Sequence, residues 1–265
     1  MNEAGGVRAA GHSSALEEAD RRARREVYWH ERIHRFSALE RILHWVIAGT
    51  GIICLLSGIG WYAGSFQFLL TLFGGGEAAR WIHGLAGILM TACAVVLFGV
   101  LWARHMFRFI PEDWQWLKIS GGYLRRHTRP AASSHALAEA LPEVEEEVPP
   151  QGFFNGGQKL WGILALALSI VFLVSGLAIW SPELWRDFLG LQPLSVPLMR
   201  VSYVLHDAAF IIFAPMVMFH IYLSTILNPG TLEAMTKGDV TRLWALHHHP
   251  LWYEEAVGEA EVAGD

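Results

Sequence analysis

The apolar residues of this chain fall into four long, nearly unbroken runs set between polar stretches. The runs cover Ile42–Ala63, Trp81–Trp102, Leu160–Trp180 and Val201–Ile226. Each reaches the roughly 20 residues that an α-helix needs to cross a bilayer core. A helix hydrophobic on every side has no water-facing stripe, and inside lipid every backbone polar group must be satisfied within its own segment. The pattern therefore predicts an all-α protein, an integral membrane bundle of four helices. Trp45, Trp61, Trp81, Trp102, Trp161 and Trp180 sit at the ends of the runs, where an aromatic belt belongs. The bundle domain is expected over residues 41–230, after an extension over 1–40 and before a tail over 231–265.

The connections differ in character. Those over 64–80 and 181–200 are short, and the one over 108–157 is long. Pro111–Tyr123 is aromatic and basic and is expected at the membrane surface. His127–Pro150 is acidic and proline-bearing and is expected to be a mobile excursion with no chemistry of its own. The stretch before Glu40 is charged and has no apolar core of a signal peptide.

Composition agrees with the pattern, since 53% of residues are hydrophobic. The formal net charge of −5 says less than where the cations lie. Arg21, Arg22, Arg24, Arg25, Arg32, Arg35 and Arg41 precede the first run. Arg104, Arg108, Lys118, Arg125, Arg126, Arg129 and Lys159 lie between the second and third. The two short connections hold only Arg80, Arg186 and Arg200. Cytoplasmic loops carry the excess of Lys and Arg. Both termini and the long connection are thus expected in the cytoplasm. Cys54 and Cys93 lie in apolar runs outside any CxxCH context, so they read as buried thiols. Phosphate-binding loops, dinucleotide fingerprints and HExxH are absent from the chain.

Histidine carries the chemistry. His206 and His220 share the fourth run and lie fourteen residues apart. At about 1.5 Å per residue this is about 21 Å along one helix face, too far for one metal ion. His44 opens the first run and His83 the second. Under the orientation above, His44 and His220 lie at the cytoplasmic level, and His83 and His206 at the outer level. Polar rings at membrane depth are costly and usually functional. Two imidazoles reaching one level from different helices are what a haem iron needs, one on each side of a flat macrocycle. Two haems b are expected, one between each pair.

Other positions carry two readings each. Gly51 and Gly58 follow His44 at seven and fourteen residues, and Gly162 and Gly176 are fourteen apart. They read either as room for a macrocycle against backbone or as ordinary helix packing through small residues. Arg41 and Arg80 lie three residues before His44 and His83, and Arg200 lies near His206. They suit haem propionates or simply flank the membrane. In Phe153–Trp161, Asn155 and Gln158 flank Gly156–Gly157. Asn155 reads first as a helix N-cap, with a hydrogen bond to a quinone carbonyl as the alternative. His247–His248–His249 has no ligand-spaced partner, and it is read as an exposed basic-aromatic tail without a metal.

The motifs ERILHW, RWIHGLAG, NGGQK, RVSYVLHDAA with FHIYLS, and KGDVTRLWALHHHPLWYEE together cover roughly Arg35–Glu255. In these the chain resembles the cytochrome b (gamma) subunits of membrane-bound respiratory formate dehydrogenases. The resemblance implies two non-covalent haems b on His44, His83, His206 and His220. It implies a menaquinone or ubiquinone site at Asn155, Gly157, Gln158 and His220. It also implies an iron–sulfur subunit as electron donor, a molybdenum or tungsten subunit that oxidises formate, and a bacterial inner membrane. Dihaem cytochromes of hydrogenases share the histidine arrangement, and a haem-free anchor is the rival from another class.

Overall fold

The protein's structure, a computed structural model, describes residues 30–122, 148–180, 186, 190–192 and 194–264. Four helices are long and apolar enough to cross a membrane. They are α1 (Ala38–Tyr62), α2 (Gly76–Trp102), α4 (Gly156–Trp180) and α5 (Val196–Tyr222, continued as a π-turn over Leu223–Leu227). Short helix α3 (Pro111–Lys118) lies between α2 and α4. After α5 come α6 (Thr231–Thr236), α7 (Arg242–His248) and α8 (Pro250–Gly264). The charged stretch before His30, the expected excursion from His127 up to residue 147, and residues 181–185, 187–189 and 193 lie outside the described residues.

The all-α expectation needs one correction. Strands β1 (Arg32–His34) and β2 (Asp239–Thr241) form an antiparallel ribbon, with Ile33 opposite Val240. The residue pattern RIH gave no strand signal, because three residues are too few for alternation to register. The ribbon ties the entry to α1 onto the tail, and Arg32 seals it with ion pairs of 2.6 Å to both Glu233 and Asp239.

Local chemistry sets where the long helices begin. Ser37 caps α1 in a capping box: its backbone N–H donates to Glu40 Oε2 at 2.7 Å, and Glu40 N donates to Ser37 Oγ at 3.4 Å. Glu40 is 1% exposed and is paired with Arg104 at 2.8 Å, so the start of α1 is bound to the end of α2. At the opposite end a 3-10 segment, Gly64–Phe73, follows α1. Gly74 and Gly75 then take φ of 84° and 97°, a left-handed turn into α2 that side-chained residues rarely adopt.

Packing is sequential. Helix α1 lies on α2, α2 on α4, and α4 on α5, whereas α5 makes little backbone contact with α1 and α2. Thr91 joins α2 to α4 by donating to the Ser169 carbonyl at 3.2 Å. Large apolar side chains face outward: Leu85, Val95, Val174, Val204 and Met218 are all more than half exposed. Such a surface is unsustainable in water and ordinary in lipid. The buried core instead gathers at one end, where Phe36, Phe98, Leu101, Phe154, Val240 and Trp252 belong to one cluster.

Candidate cofactor site

The four histidines form two pairs, each joining α5 to one helix of the α1–α2 pair. His44 of α1 faces His220 of α5, with ring centroids 6.3 Å apart. His83 of α2 faces His206 of α5 at 6.1 Å. With each metal–nitrogen bond about 2 Å and each ring nitrogen about 1 Å from its ring centre, two imidazoles on opposite sides of one ion stand about 6 Å apart. Both pairs match that span. The rings are too far apart to bond each other and lie at the spacing that a central iron requires. The residues present therefore fit haem at two levels.

Aromatic side chains wall each pair. Trp161 stacks on His220 at 4.6 Å, and Trp45 meets His44 edge-on at 5.2 Å. Trp61 meets His83 at 5.4 Å, and Phe172 meets His206 at 5.1 Å. Ser57 Oγ lies 2.8 Å from His83 Nδ1, and Ser175 Oγ lies 2.9 Å from His206 Nδ1. His44 Nδ1 is buried and has no hydrogen-bond partner among the described residues. Neither serine stood out in the sequence. A lone serine in an apolar span bonds its own helix carbonyl in most settings, and only the rotation of neighbouring helices brings it to an imidazole.

The four glycines differ in what lies over them. A Cβ on Gly51 would touch Met90 at 3.6 Å, and one on Gly162 would strike Met106 at 2.3 Å. At Gly58 and Gly176 the neighbours include the ligand candidates themselves, His83 Cε1 at 3.8 Å and His206 Cε1 at 3.4 Å. At these two positions a Cβ would sit in ordinary contact with an imidazole ring.

At the start of α4, Asn155 and Gln158 form a reciprocal cap. Gln158 N donates to Asn155 Oδ1 at 2.8 Å, and Asn155 N donates to Gln158 Oε1 at 3.0 Å. The first reading of Asn155 is thus what the structure displays. The cap uses only the amide oxygens. Neither amide nitrogen has a hydrogen bond among the described residues, so both remain available as donors. Gly156 and Gly157 lie close against helix α3. A Cβ on Gly156 would meet the Asp113 carbonyl at 2.5 Å, and one on Gly157 would meet the Trp116 ring at 2.6 Å. Helix α3 occupies that space.

Lys159 holds α3 there. It is 5% exposed, donates to Asp113 Oδ2 at 2.6 Å and to the Arg108 carbonyl at 2.9 Å. Its charge is neutralised within the protein, so it does not act as a free flanking cation in the orientation count. Arg41 donates to the Thr236 carbonyl at 2.9 Å and packs against Gly238, which ties it to the tail. Arg80 and Arg200 are exposed.

The tail is the largest departure from expectation. It was expected to be exposed, yet His249 is 1% and Trp252 6% exposed. His249 Nδ1 donates to the Gly152 carbonyl at 2.7 Å, which leaves Nε2 to accept from Arg35 at 3.1 Å. Arg35 is itself 2% exposed and caged by Phe153, Trp244 and Trp252, with its guanidinium carbon 4.8–5.0 Å from each ring centroid. Burial lowers the Arg35 guanidinium to about 9, and the neighbouring Arg104 adds to the effect. Burial, with the Arg35 charge second, pushes His249 well below the usual imidazole range. At neutral pH the pair is therefore one cation and one neutral ring.

Four apolar helices with imidazoles paired across the bundle at iron-spanning distance define a membrane protein of the b-type cytochrome class. Residues 35–238 match the model of the family described as prokaryotic cytochrome b561, and the chain belongs to that family. Membership implies haem b and a role in electron transfer. The chain is 32% identical over 223 residues to the cytochrome b556(fdo) subunit of formate dehydrogenase from Escherichia coli K12, covering 84% of this chain and 92% of that protein. It is 30% identical over 227 residues to the cytochrome b556(Fdn) subunit of the nitrate-inducible formate dehydrogenase of the same organism, covering 84% and 91%. It is also 30% identical over 230 residues to the formate dehydrogenase cytochrome b556 subunit of Haemophilus influenzae, covering 85% and 84%.

Proposed function

We propose that this chain is the membrane cytochrome subunit of a formate dehydrogenase, seated in a bacterial inner membrane with both termini cytoplasmic. It carries two haems b, between His44 and His220 and between His83 and His206. Electrons enter at the His83–His206 level from an iron–sulfur subunit, itself supplied by a molybdenum or tungsten subunit, and leave to menaquinone or ubiquinone at the His44–His220 level. The observation that carries this reading is the matching span of the two pairs, 6.3 Å and 6.1 Å.

When bound, haem supplies one-electron exchange at iron, with a potential set by axial ligands, hydrogen bonds and burial. The chain supplies the rest. The imidazoles of α5 face those of α1 and α2 at 6.3 and 6.1 Å. Arg41, Arg80 and Arg200 flank the two levels as partners for propionates. The amide nitrogens of Asn155 and Gln158 offer donors to a quinone carbonyl at the start of α4. Trp161 lies three residues further on and stacks on His220, and its buried Nε1 has no partner among the described residues. It lines the path from the inner pair to those amides.

Haem quantification on the purified complex tests the reading. Wild type should hold two haems per copy of this chain. His83→Ala or His206→Ala should lose one haem, and His44→Ala should lose the other. A stoichiometry of one, or retention of both haems in all three variants, overturns the reading. A hydrogenase or other dehydrogenase as partner would show in the subunits that copurify.

A further inference from the structure

The two histidine pairs are alike in span and unlike in what holds them. Ser57 Oγ lies 2.8 Å from His83 Nδ1, and it also lies 2.7 Å from the Ile53 carbonyl on its own helix. Ser175 Oγ lies 2.9 Å from His206 Nδ1 and 2.5 Å from the Val171 carbonyl. A carbonyl oxygen can only accept, so the single hydroxyl proton of each serine goes to it. The oxygen that remains can only accept in turn, and the proton of each serine–histidine contact comes from Nδ1–H. Both rings are thereby set in one tautomer, with the lone pair on Nε2, the form a metal binds. Ser57 is 0% and Ser175 3% exposed, so water does not compete for either bond. The arrangement is repeated: a serine of α1 serves a histidine of α2, and a serine of α4 serves one of α5. His44 Nδ1 has no such acceptor among the described residues.

From these contacts we infer that Ser57 and Ser175 are positioning residues that lower the potential of the haem between His83 and His206 relative to the haem between His44 and His220. This rests on the two-haem reading above. An acceptor on Nδ1–H draws the proton outward and makes Nε2 a stronger donor to the metal. Stronger axial donation stabilises the oxidised iron over the reduced, which lowers the potential. The pair with two anchored rings is thus the low-potential end and the pair with a bare His44 Nδ1 the high-potential end. Electron flow from the first level to the second is downhill by construction of the protein.

Redox titration of the purified complex, with each haem followed by its absorbance, tests the assignment. In wild type the lower midpoint should belong to the haem that is missing from His83→Ala. Ser57→Ala and Ser175→Ala should keep two haems and raise that midpoint alone. Loss of one hydrogen bond of ordinary strength moves the equilibrium about fivefold toward the reduced form, about 40 mV at 59 mV per tenfold one-electron change. Ser57→Thr, which keeps the hydroxyl, should stay near the wild-type value. The inference is overturned if two haems are present and neither midpoint moves, or if both move together. Should an alanine variant lose its haem, the wild-type titration still decides: a higher midpoint for the His83–His206 haem sinks the inference. One haem in wild type would instead refute the two-haem reading.

Discussion

Trp161 lies against His220 with ring centroids 4.6 Å apart and planes inclined by 39°. Trp161 belongs to the first turns of α4 and His220 to the last turns of α5. The contact connects the His44–His220 pair to the cap at the start of α4. The chemistry at this end of the bundle is therefore coupled to how α4 begins, and substitutions in the cap report on both.

Asn155 separates stability from turnover. Asn155→Ala removes the cap bond to Gln158 N and should cost about 1 kcal/mol of stability, the usual loss for such a cap. It also removes the amide donor. An unpaired quinone carbonyl costs about 1–3 kcal/mol, or roughly 5- to 150-fold in quinone reduction per haem. Asn155→Asp keeps a capping oxygen and loses the donor, and the negative charge it adds is one a helix N-terminus favours. It should retain near-normal assembly yet show the same loss of turnover. Normal quinone reduction per haem in Asn155→Asp would remove Asn155 from the quinone site.

The buried Lys159–Asp113 pair should be intolerant of half-removal. Asp113 is 0% exposed and also caps α3 by accepting from Ile110 N at 2.8 Å. Lys159→Met leaves that carboxylate buried and uncompensated, a loss of about 3–5 kcal/mol. The assembled complex should fall sharply in yield and thermal stability. Adding Asp113→Asn, which removes the stranded charge, should recover part of the loss. Equal stability of Lys159→Met and wild type in a thermal melt would show that the pair does not hold α3.

Acid should loosen the tail. His249 is neutral when folded, with its ring held well below the ordinary value of 6.5 by burial and by Arg35. Below 6.5 the unfolded chain takes up a proton that the folded ring refuses, so the stability of the docked tail is complete above that value and falls as pH drops through it. Protection factors over residues 239–253, which divide out the intrinsic pH dependence of amide exchange, should fall between about pH 7 and about pH 5. His249→Gln should flatten that dependence. Unchanged protection factors across the range in wild type would remove His249 as the cause.

Orientation has a direct readout. A reporter active only outside the cytoplasm should be silent when fused after Glu255 and active when inserted in the Gly64–Phe73 segment. The reverse pattern would place the His44–His220 pair at the outer level and the His83–His206 pair at the cytoplasmic level.

The spans and the levels of the histidines were legible in the chain itself. Apolar run length is a one-dimensional property, and helix rise converts spacing such as His206 to His220 directly into depth. The capping signal at Asn155 was legible for the same reason, since the cap is local. What the sequence could not contain was rotation. A helix that is apolar all round has no stripe to say which side faces which neighbour. Nothing in it showed that Ser57 meets His83, that Gly162 makes way for Met106, or that Trp161 stacks on His220. The tail posed a second kind of difficulty. Its charges and histidines look solvated when read alone. Its burial depends on Arg35, Gly152 and Phe153, which lie far away in sequence and satisfy or cover its polar atoms only after the chain has closed on itself. Run length and local caps set the elements, and inter-helix packing alone decided which atoms of those elements touch.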